Sequence, residues 1–399
     1  MKKIVLIAFS ILICVCTPAQ VKRKCGFDAV QQKIAQHPNF EKYTLKKKLA
    51  YKSFSQQKMD TVIRIPVVVH VIHRLASENI STAQINSQIA VLNKDYRKLN
   101  PDTSNATGSS IADVKFQFVL ARINPSGSPT TGITRTSTTI DNIGISNKYD
   151  SLVPAWNNER YLNIWVCDVG QFILGFAYPP NTPGVSPQED GIVIGSEYFG
   201  TVGSVSAPYD LGRTTTHEVG HYFDLLHIWG SDQNPSCSTD DLISDTPNQD
   251  SEVYSCVTRT SCGSVDQLSN FLQYVDDACM GNFTFGQKTR MRTALYTQRD
   301  SLQYEIGTLV SSITDQNIFA ETKLYPNPTK GKVTVEFPSN FEFHETKIQL
   351  FDVTGKVINF KTIRATRGLT LYMNAAPSGV YFLRVEGEKI NYTQKLIKH

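Results

Sequence analysis

The alternation of apolar and polar positions divides the chain into segments of different character. Residues 1–19 combine a lysine pair, a continuous apolar run and small residues at the end, which is the pattern of a secretory signal peptide. Residues 20–58 are polar and rich in lysine and glutamine, with weak helical periodicity, and we expect a propeptide rather than a core-forming domain. No later apolar run is long enough to cross a bilayer, so we expect an exported chain without a transmembrane segment.

Strands and helices alternate between residues 59 and 315. The run TVIRIPVVVHVIH is rich in β-branched residues and predicts a buried strand, and further strands are predicted in VKFQFVLARI, YLNIWVCDV and DGIVIGS. Ser81 and Gln84 can begin a helix, and its apolar face is then formed by Ile85, Ile89, Leu92 and Tyr96. Interleaved strands and helices predict an α/β or α+β domain.

Residues 320–399 have a different pattern. Short strands such as KVTVEF and SGVYFLRV are separated by Asn-Pro, Thr-Gly-Lys and Pro-Ser-Gly turns, which predicts a small all-β sandwich. A chain of 399 residues is long enough for both domains, since a typical domain has about 100–200 residues.

The composition and charge exclude two classes of protein. A hydrophobic content of 40% and a charged content of 19% are those of a globular protein and argue against wholesale disorder. The net charge is +4, but the basic residues gather near the N-terminus, at 46–48 and in the C-terminal segment, without a stripe of interleaved aromatic residues. We therefore expect no nucleic-acid partner.

Six cysteines follow the predicted signal peptide, and four of them lie close together: Cys237, Cys256, Cys262 and Cys279. In an exported chain this spacing predicts two disulfide bonds across an irregular loop, and it leaves three possible pairings open. Cys167 lies in an apolar strand-like run, so we expect it to pack as a small buried hydrophobic residue.

The segment TTTHEVGHYFDLLHIWG holds three of the chain's eight histidines. Residues four apart lie on one face of a helix, so His217 and His221 can both direct a ring nitrogen at one ion, at the zinc–imidazole distance of about 2.0–2.1 Å. Glu218 lies one step around the helix and can take a proton from water that zinc has made more acidic. This is the H-E-x-x-H arrangement of zinc hydrolases.

A third ligand is predicted at His227, which the chain reaches only if it turns after His221. The metzincin pattern has a glycine where this sequence has Asp224, and aspartate tolerates a left-handed backbone better than most residues. The alternative is that the histidines pack on an amphipathic helix, which the spacing of the third histidine, the exported chain and the cysteine-stapled loop that follows disfavour. His70 and His73 are three apart on a predicted strand and point to opposite faces, so we expect packing roles for them.

In their order along the chain these motifs resemble the pappalysin family of metzincin zinc peptidases, in particular its secreted bacterial branch. The resemblance runs from about Ile65 to Leu302 and is carried by IPVVVHVIH, ENISTAQINSQIAVLNKDYRKLN, PSGSPTTGITR, YLNIWVCDV, DGIVIGSEYFG, GRTTTHEVGH, DTPNQ and NFLQYVDDACM. It implies a catalytic domain of two halves about a cleft, with a twisted sheet above the histidine helix. It also implies zinc ligands at His217, His221 and His227, with Glu218 as general base.

The resemblance also assigns two residues of NFLQYVDD. The family usually has a methionine as the hydrophobic floor beneath the zinc, and here that position is Leu272, a residue of similar volume. Met280 lies too late in the sequence for this role. Tyr274 matches the tyrosine that stabilises the developing charge on the scissile carbonyl oxygen, and the alternative is a tyrosine of the core.

Two further features of the cysteines follow from the resemblance. It implies crossed disulfide bonds, Cys237–Cys262 and Cys256–Cys279. KRKCGFDAV resembles the family's propeptide segment, in which a cysteine thiolate occupies the open position of the zinc, so Cys25 is predicted to be an inhibitory switch. The alternative for Cys25 is a thiol without a function.

The resemblance also concerns a calcium site and a specificity pocket. DDLISDTPNQ resembles the family's calcium loop, with oxygen ligands from Asp241, Asp245 and Thr246, although a solvated acidic turn is the alternative. Family members that cut before arginine have a carboxylate beside the last loop cysteine, where this sequence has Ala278. Asp277 and Asp276 precede Ala278, and the Asp277 carboxylate can still reach an arginine of the substrate. We therefore expect a basic residue after the scissile bond, or an apolar residue if these carboxylates face elsewhere.

The C-terminal piece, about Lys323 to His399, resembles the sorting domain that the type IX secretion system of Bacteroidetes recognises, on LYPNPTKGKVTV, LFDVTGKVI and SGVYFLRV. The prediction is therefore a secreted or cell-surface zinc endopeptidase, made as a zymogen, that cuts extracellular proteins and peptides. The alternative is a non-catalytic surface adhesin on the same scaffold. Glu218 argues against an adhesin, because a binding protein needs no general base.

Overall fold

The computed structural model describes residues 24–52, 60–106, 111–302 and 323–399, apart from short gaps at 145, 147, 172, 231–233, 338–346, 353–355, 366–367 and 388–389. The predicted signal peptide and the predicted domain boundaries near residues 58 and 315–320 lie outside these residues. Backbone packing divides the chain into two units, Met1–Glu305 and Ile306–His399, each with its own hydrophobic core. Among the described residues, no helix is both long enough and apolar enough to span a bilayer.

A mixed β-sheet forms the centre of the first unit. Its strands are β1 (Ile63–His73), β2 (Phe116–Leu120), β3 (Ile133–Ser137), β4 (Leu162–Cys167), β5 (Gly175–Ala177) and β6 (Ile192–Gly195). Their order is β2-β1-β4-β6-β5, and β3 pairs with the end of β1 beyond β2. All neighbours are parallel except β5, which lies antiparallel to β6 at the edge of the sheet. Outside this sheet, β7 (Thr260–Ser261) and β8 (Ser264–Val265) form a short antiparallel pair. The four predicted strands are present, and the fold class is confirmed as α/β with a mixed sheet.

The β-branched run of β1 is buried because the strand lies inside the sheet and is covered on both faces. His70 is fully buried in it, with Nδ1 2.8 Å from the Thr134 hydroxyl and Nε2 3.0 Å from the Asn163 side-chain oxygen. Burial lowers the pKa of His70 to about 4, so the ring is neutral near neutral pH. Its predicted packing role is confirmed. Cys167 on β4 is likewise buried with a free thiol, as predicted.

Four helices accompany the sheet: α3 (Thr82–Asp95), α4 (Tyr149–Leu152), α5 (Arg213–Tyr222) and α6 (Phe285–Gln298). The predicted start of α3 is confirmed, since the Ser81 hydroxyl accepts a hydrogen bond from the backbone N–H of Gln84 at 3.1 Å. Thr284 and Gln287 begin α6 with a reciprocal capping box.

The N-terminal segment, residues 24–52, packs against the core of the first unit and forms no core of its own among the described residues. It forms α1 (Phe27–Ala35) and α2 (Phe40–Lys52). The buried side chains of Phe27, Val30 and Ile34 join the main hydrophobic cluster of the first unit. These positions share one helical face, a local stripe that the polar composition of the whole stretch conceals.

The second unit contains two antiparallel sheets, which confirms the predicted small all-β domain. The strands are β9 (Lys323–Tyr325), β10 (Lys332–Glu336), β11 (Lys347–Asp352), β12 (Lys361–Ala365), β13 (Gly368–Tyr372), β14 (Gly379–Gly387) and β15 (Ile390–Lys398). One sheet has the order β12-β13-β10-β9 and the other β11-β14-β15. Their inward residues form an apolar core that includes Val335, Leu350, Leu371 and Leu383.

Candidate metal and catalytic site

Helix α5 places the first two predicted metal ligands, and the turn after it places the third. The backbone of Asp224 adopts the left-handed conformation at φ +76°, as the motif requires at this position, and its N–H donates to the carbonyl oxygen of His221 at 2.9 Å. This turn ends the helix and brings His227 back to the face that carries His217 and His221. All three rings are buried.

The three Nε2 atoms converge on one point. They lie 3.1 Å apart between His217 and His221, 3.1 Å between His221 and His227, and 3.3 Å between His217 and His227. Tetrahedral ligands at the zinc–nitrogen distance of 2.0–2.1 Å would be separated by about 3.3 Å. The histidine triangle therefore has the dimensions of a zinc site.

The opposite ring nitrogens show which atoms carry the protons. Nδ1 of His217 donates to the carbonyl oxygen of Phe271 at 2.7 Å, and Nδ1 of His221 donates to that of Leu225 at 2.8 Å. Burial and the neighbouring His227 lower the pKa of His221 far below its ordinary value, so its Nε2 bears a lone pair. Lone pairs that point at one another in a buried space require a cation between them, and this is the arrangement of a metal site.

Cys25 reaches this site from the N-terminal segment. Its Sγ belongs to the cluster formed with the three histidines, in which all candidate ligand atoms lie within 4.8 Å of one another. The thiol also lies 3.0 Å from Oε1 of Glu218 and accepts a hydrogen bond from the backbone N–H of Phe27 at 3.3 Å. Burial, with the carboxylates of Glu218 and Asp28, raises the pKa of this thiol, so a thiolate here needs the charge of a metal.

Tyr274 lies beside the site within a group of aromatic rings. Its ring centroid is 4.9 Å from that of His227, 4.8 Å from that of Trp229 and 5.8 Å from that of Tyr254. Its hydroxyl accepts a hydrogen bond from the backbone N–H of Cys25 at 3.3 Å, so the N-terminal segment holds the phenol in place. Burial raises the pKa of Tyr274 well above its ordinary value, and it remains a proton donor.

Leu272, the predicted floor residue, is fully buried against helix α5. A Cβ atom added at Gly220 would lie 3.1 Å from Cδ2 of Leu272, so the leucine packs against the turn of α5 between Glu218 and His221. Leucine thus fills the position beside the metal-binding turn at which the family usually has a methionine.

The cysteine-rich loop is closed by the crossed pairs Cys237–Cys262 and Cys256–Cys279. Asp277, just before the last cysteine, has a position that we did not expect. Its carboxylate is fully buried and accepts hydrogen bonds from the backbone N–H groups of Leu211 at 3.0 Å and Arg213 at 3.1 Å. This oxygen caps the first turn of α5, so we do not carry Asp277 forward as a specificity residue.

The three predicted calcium ligands divide into two groups. The Oδ1 atom of Asp241 lies 2.7 Å from the Thr246 hydroxyl, whereas its Oδ2 is buried and has no hydrogen-bond partner among the described residues. Burial raises the pKa of Asp241 to about 8. Asp245 turns to α6 instead, where its carboxylate accepts from the Thr284 hydroxyl at 2.7 Å and the Gly286 N–H at 2.9 Å.

Two contacts at the site could not be expected from the sequence motifs. The ammonium of Lys47 on α2 forms an ion pair with the Asp224 carboxylate, and the ring of Tyr43 lies one helical turn away with its centroid 4.6 Å from the Lys47 nitrogen. Asp28 on α1 lies against His227 and Tyr274. Despite partial desolvation, which raises it, these two neighbours lower the pKa of the Asp28 carboxyl group. A basic or acidic residue on a short polar helix gives no sign of such long-range partners.

Comparison with known families agrees with this geometry. Residues 147–296 match the family described as Pregnancy-associated plasma protein-A, and residues 323–399 match the secretion system C-terminal sorting domain. An extracellular metalloprotease of Arthroderma benhamiae is 31% identical over 240 residues, which cover 57% of this chain and 76% of that protein. An extracellular metalloprotease of Neurospora crassa is 30% identical over 280 residues, which cover 67% of this chain and 86% of that protein.

Two solved structures from Tannerella forsythia are also similar. A promirolysin mutant is 40% identical with a TM-score of 0.63 and covers 70% of this chain and 97% of its own. Mature mirolysin in complex with a cleaved peptide is 43% identical with a TM-score of 0.57, and the match covers 61% of this chain and 97% of the mirolysin chain. The chain therefore belongs to the pappalysin family of secreted or cell-surface metalloendopeptidases, and it carries a C-terminal secretion sorting domain.

Proposed function

We propose that the chain is a zinc-dependent endopeptidase that is synthesised as a zymogen. The observation that carries this proposal is the convergence of three Nε2 atoms at 3.1–3.3 Å. His217, His221 and His227 would hold the zinc ion, since neutral imidazole is a preferred zinc ligand and the set leaves one coordination position for a further ligand.

Zinc bound there supplies a Lewis acid that polarises the scissile carbonyl and makes water more acidic. Glu218 directly follows the first ligand, His217, on α5, and its Oε1 lies 3.0 Å from the Cys25 sulfur beside the histidines. An attacking water molecule in place of that sulfur would be within reach of the carboxylate. Glu218 would therefore take the proton of the water and pass it to the leaving amine.

Tyr274 would stabilise the charge that develops on the carbonyl oxygen. Its hydroxyl contacts the backbone of Cys25 beside the histidine cluster, and burial keeps the phenol protonated. A protonated phenol can donate a hydrogen bond to an oxyanion, and a preorganised donor contributes most in a site that excludes water.

The edge strand of the sheet offers a place for the substrate backbone. The N-terminal segment pairs with it, since the Leu174 N–H donates to the Lys24 carbonyl at 2.9 Å and the Gly26 N–H donates to the Gly175 carbonyl at 2.8 Å. When this segment leaves, the same groups of residues 174 and 175 become free to bind an extended protein or peptide chain. Backbone pairing at a strand edge accounts for binding without a fixed side-chain sequence.

Latency would rest on two anchors of the N-terminal segment. Cys25 would act as a switch that fills the open metal position, as its placement within the histidine cluster supports. Lys47 would anchor the far helix through its ion pair with Asp224, a carboxylate that is 3% exposed. The glycine of the usual motif could not make this contact, so the aspartate supplies an anchor that the standard pattern lacks.

Calcium binding at the cysteine-rich loop is a separate part of the proposal. The buried Oδ2 of Asp241 is supported as a ligand, because burying an unpartnered carboxylate oxygen is costly unless a cation binds it. Thr246 would contribute through its hydroxyl or carbonyl, whereas Asp245 is engaged with the start of α6.

The sorting domain would direct the protein through the type IX secretion machinery. Residues 323–399 match this domain, and its described core is apolar, without a cluster of metal-ligating side chains. Its role is therefore that of an address for export and not of a second catalytic centre.

Digestion of casein by the purified form that begins at Thr61 tests the proposal. We expect cleavage that a chelator abolishes and zinc restores, and no cleavage by the matched Glu218→Gln form. Binding of casein without cleavage by the unmodified form would contradict the proposal and favour the adhesin alternative.

A further inference from the structure

The three candidate metal ligands differ in what holds their outer nitrogen. The catalytic unit itself supplies backbone carbonyl oxygens for His217, at 2.7 Å, and for His221, at 2.8 Å. Nδ1 of His227 instead faces Oδ1 of Asp28 in the N-terminal segment, at 3.1 Å. This nitrogen makes no aligned hydrogen bond within the described part of the chain, and the Asp28 carboxylate is the polar group that approaches it.

The remaining neighbours of His227 fix the plane of its ring but not its protonation. The Trp229 ring stacks on it with centroids 4.5 Å apart and an angle of 13°, and Tyr274 meets it edge-on at 4.9 Å. Aromatic stacking leaves open which nitrogen carries the proton. A carboxylate at Nδ1 keeps the proton there and leaves Nε2 free for the metal.

We propose that Asp28 is a positioning residue of the metal site, which supports the third ligand only while the N-terminal segment is in place. By accepting the Nδ1 proton it would raise the basicity of Nε2 of His227, so the precursor would hold its metal more tightly than Cys25 alone explains. This inference rests on the proposed zinc site and zymogen.

The same carboxylate engages the other side of the site. Oδ2 of Asp28 accepts a hydrogen bond from the Tyr274 hydroxyl at 3.3 Å. One side chain therefore orients a metal ligand and occupies the hydroxyl proposed to bind the oxyanion. Asp28 is exposed enough, at 56% of its side chain, that replacing it leaves no cavity in the core.

Coupling between metal and segment follows from this arrangement. If Asp28 strengthens metal binding, then metal binding must strengthen docking of the N-terminal segment by the same factor. The segment would thus aid metal uptake before maturation, and its removal would take away Cys25 and Asp28 together.

Zinc transfer to a chromogenic chelator tests the proposal with a readout independent of turnover. The parent protein is the precursor beginning at Gln20 with Glu218→Gln, which prevents self-cleavage. Two variants add Asp28→Asn or Asp28→Ala to this parent. We expect both to lower zinc affinity by about tenfold, the lower end of the usual 10–100-fold effect of an outer partner. Glu41→Gln is the matched control, because it removes an exposed carboxylate of the same segment that lies outside the cluster of Cys25 and the three histidines.

The role of Asp28 and the zinc site itself would be disproved by different results. Zinc affinities of the Asp28 variants equal to that of the parent, with equal thermal stability of the metal-free forms, would overturn the role of Asp28 and leave the zinc site intact. A parent that binds no stoichiometric zinc would overturn both. Loss of affinity in Glu41→Gln equal to that in Asp28→Asn would reduce the effect to charge alone and would also overturn it.

Discussion

The two units of the molecule differ in what they bury. The catalytic unit buries Glu218, Asp277 and Arg292 almost completely, in addition to the histidines of the metal site. In the described part of the sorting domain, by contrast, Lys398 is the buried charged residue, and its ammonium contacts backbone carbonyls. Burying a charge is costly unless a partner or a metal compensates it, so the density of such groups in the first unit marks where the chemistry lies.

The difference also separates structural from functional charges within the catalytic unit. Arg213 is paired with Asp95 and Asp102, and Arg299 with Asp190, so these charges hold elements together. The buried groups of the metal site converge on one point instead.

The largest effect is expected for Glu218→Gln in the form that begins at Thr61. The amide cannot take a proton from water, so turnover should fall by about 10³–10⁴-fold, in the upper range for a general base. Zinc content should remain unchanged because the three histidines are intact. Peptide hydrolysis and elemental analysis on one preparation would measure both, and activity near that of the unmodified enzyme would disprove the base assignment.

Tyr274→Phe should have the next largest effect. Loss of one oxyanion donor should reduce kcat by about 10²–10³-fold with metal and fold retained. Tyr254→Phe is the matched control, because it removes the hydroxyl of a neighbouring tyrosine whose ring centroid lies 5.8 Å from that of Tyr274. An unchanged kcat for Tyr274→Phe would make this residue a tyrosine of the core.

Latency should be lost in two unequal steps. The form beginning at Gln20 should be much less active than the form beginning at Thr61, and Cys25→Ala should raise its activity most. Lys47→Met should raise it by about tenfold, since a hydrogen bond to a charged group contributes roughly 1.5 kcal/mol or more. The neighbouring Lys46→Met serves as control. Equal activity of all these forms would rule out both anchors.

Removal of residues 323–399 should have the smallest effect on catalysis. Because the described sorting domain offers no cluster of metal-ligating side chains, kcat/KM of the truncated enzyme should equal that of the full chain. Export from a type IX-competent host should instead be lost. A marked fall in kcat/KM of a folded truncated enzyme would contradict the division between the units.

The motif predicted the metal site because helical periodicity alone places His217 and His221 on one face. It also indicated the turn at Asp224, where the backbone has φ +76°. The outer partners of the histidines could not be predicted, since the carbonyl groups of Phe271 and Leu225 carry no residue-type signal. They become visible only when the chain is folded.

Two contacts of the folded chain could not be predicted for the same physical reason. The position of Asp277 beside the last loop cysteine did not show that its side chain turns to the backbone at residues 211 and 213. The polar composition of residues 20–58 hid the apolar face on which Phe27 packs, stacked on His221 with centroids 3.7 Å apart. Neighbours in sequence do not fix the direction of a side chain, whereas the tertiary fold does.

Metal analysis of the purified form that begins at Thr61 is the most direct test of the central claim. The account predicts stoichiometric zinc that a strong chelator removes together with all proteolysis, and that returns with activity when zinc is added back. His227→Ala should lose this zinc while Asp241→Ala retains it. Full proteolytic activity in a preparation without stoichiometric zinc would contradict the account.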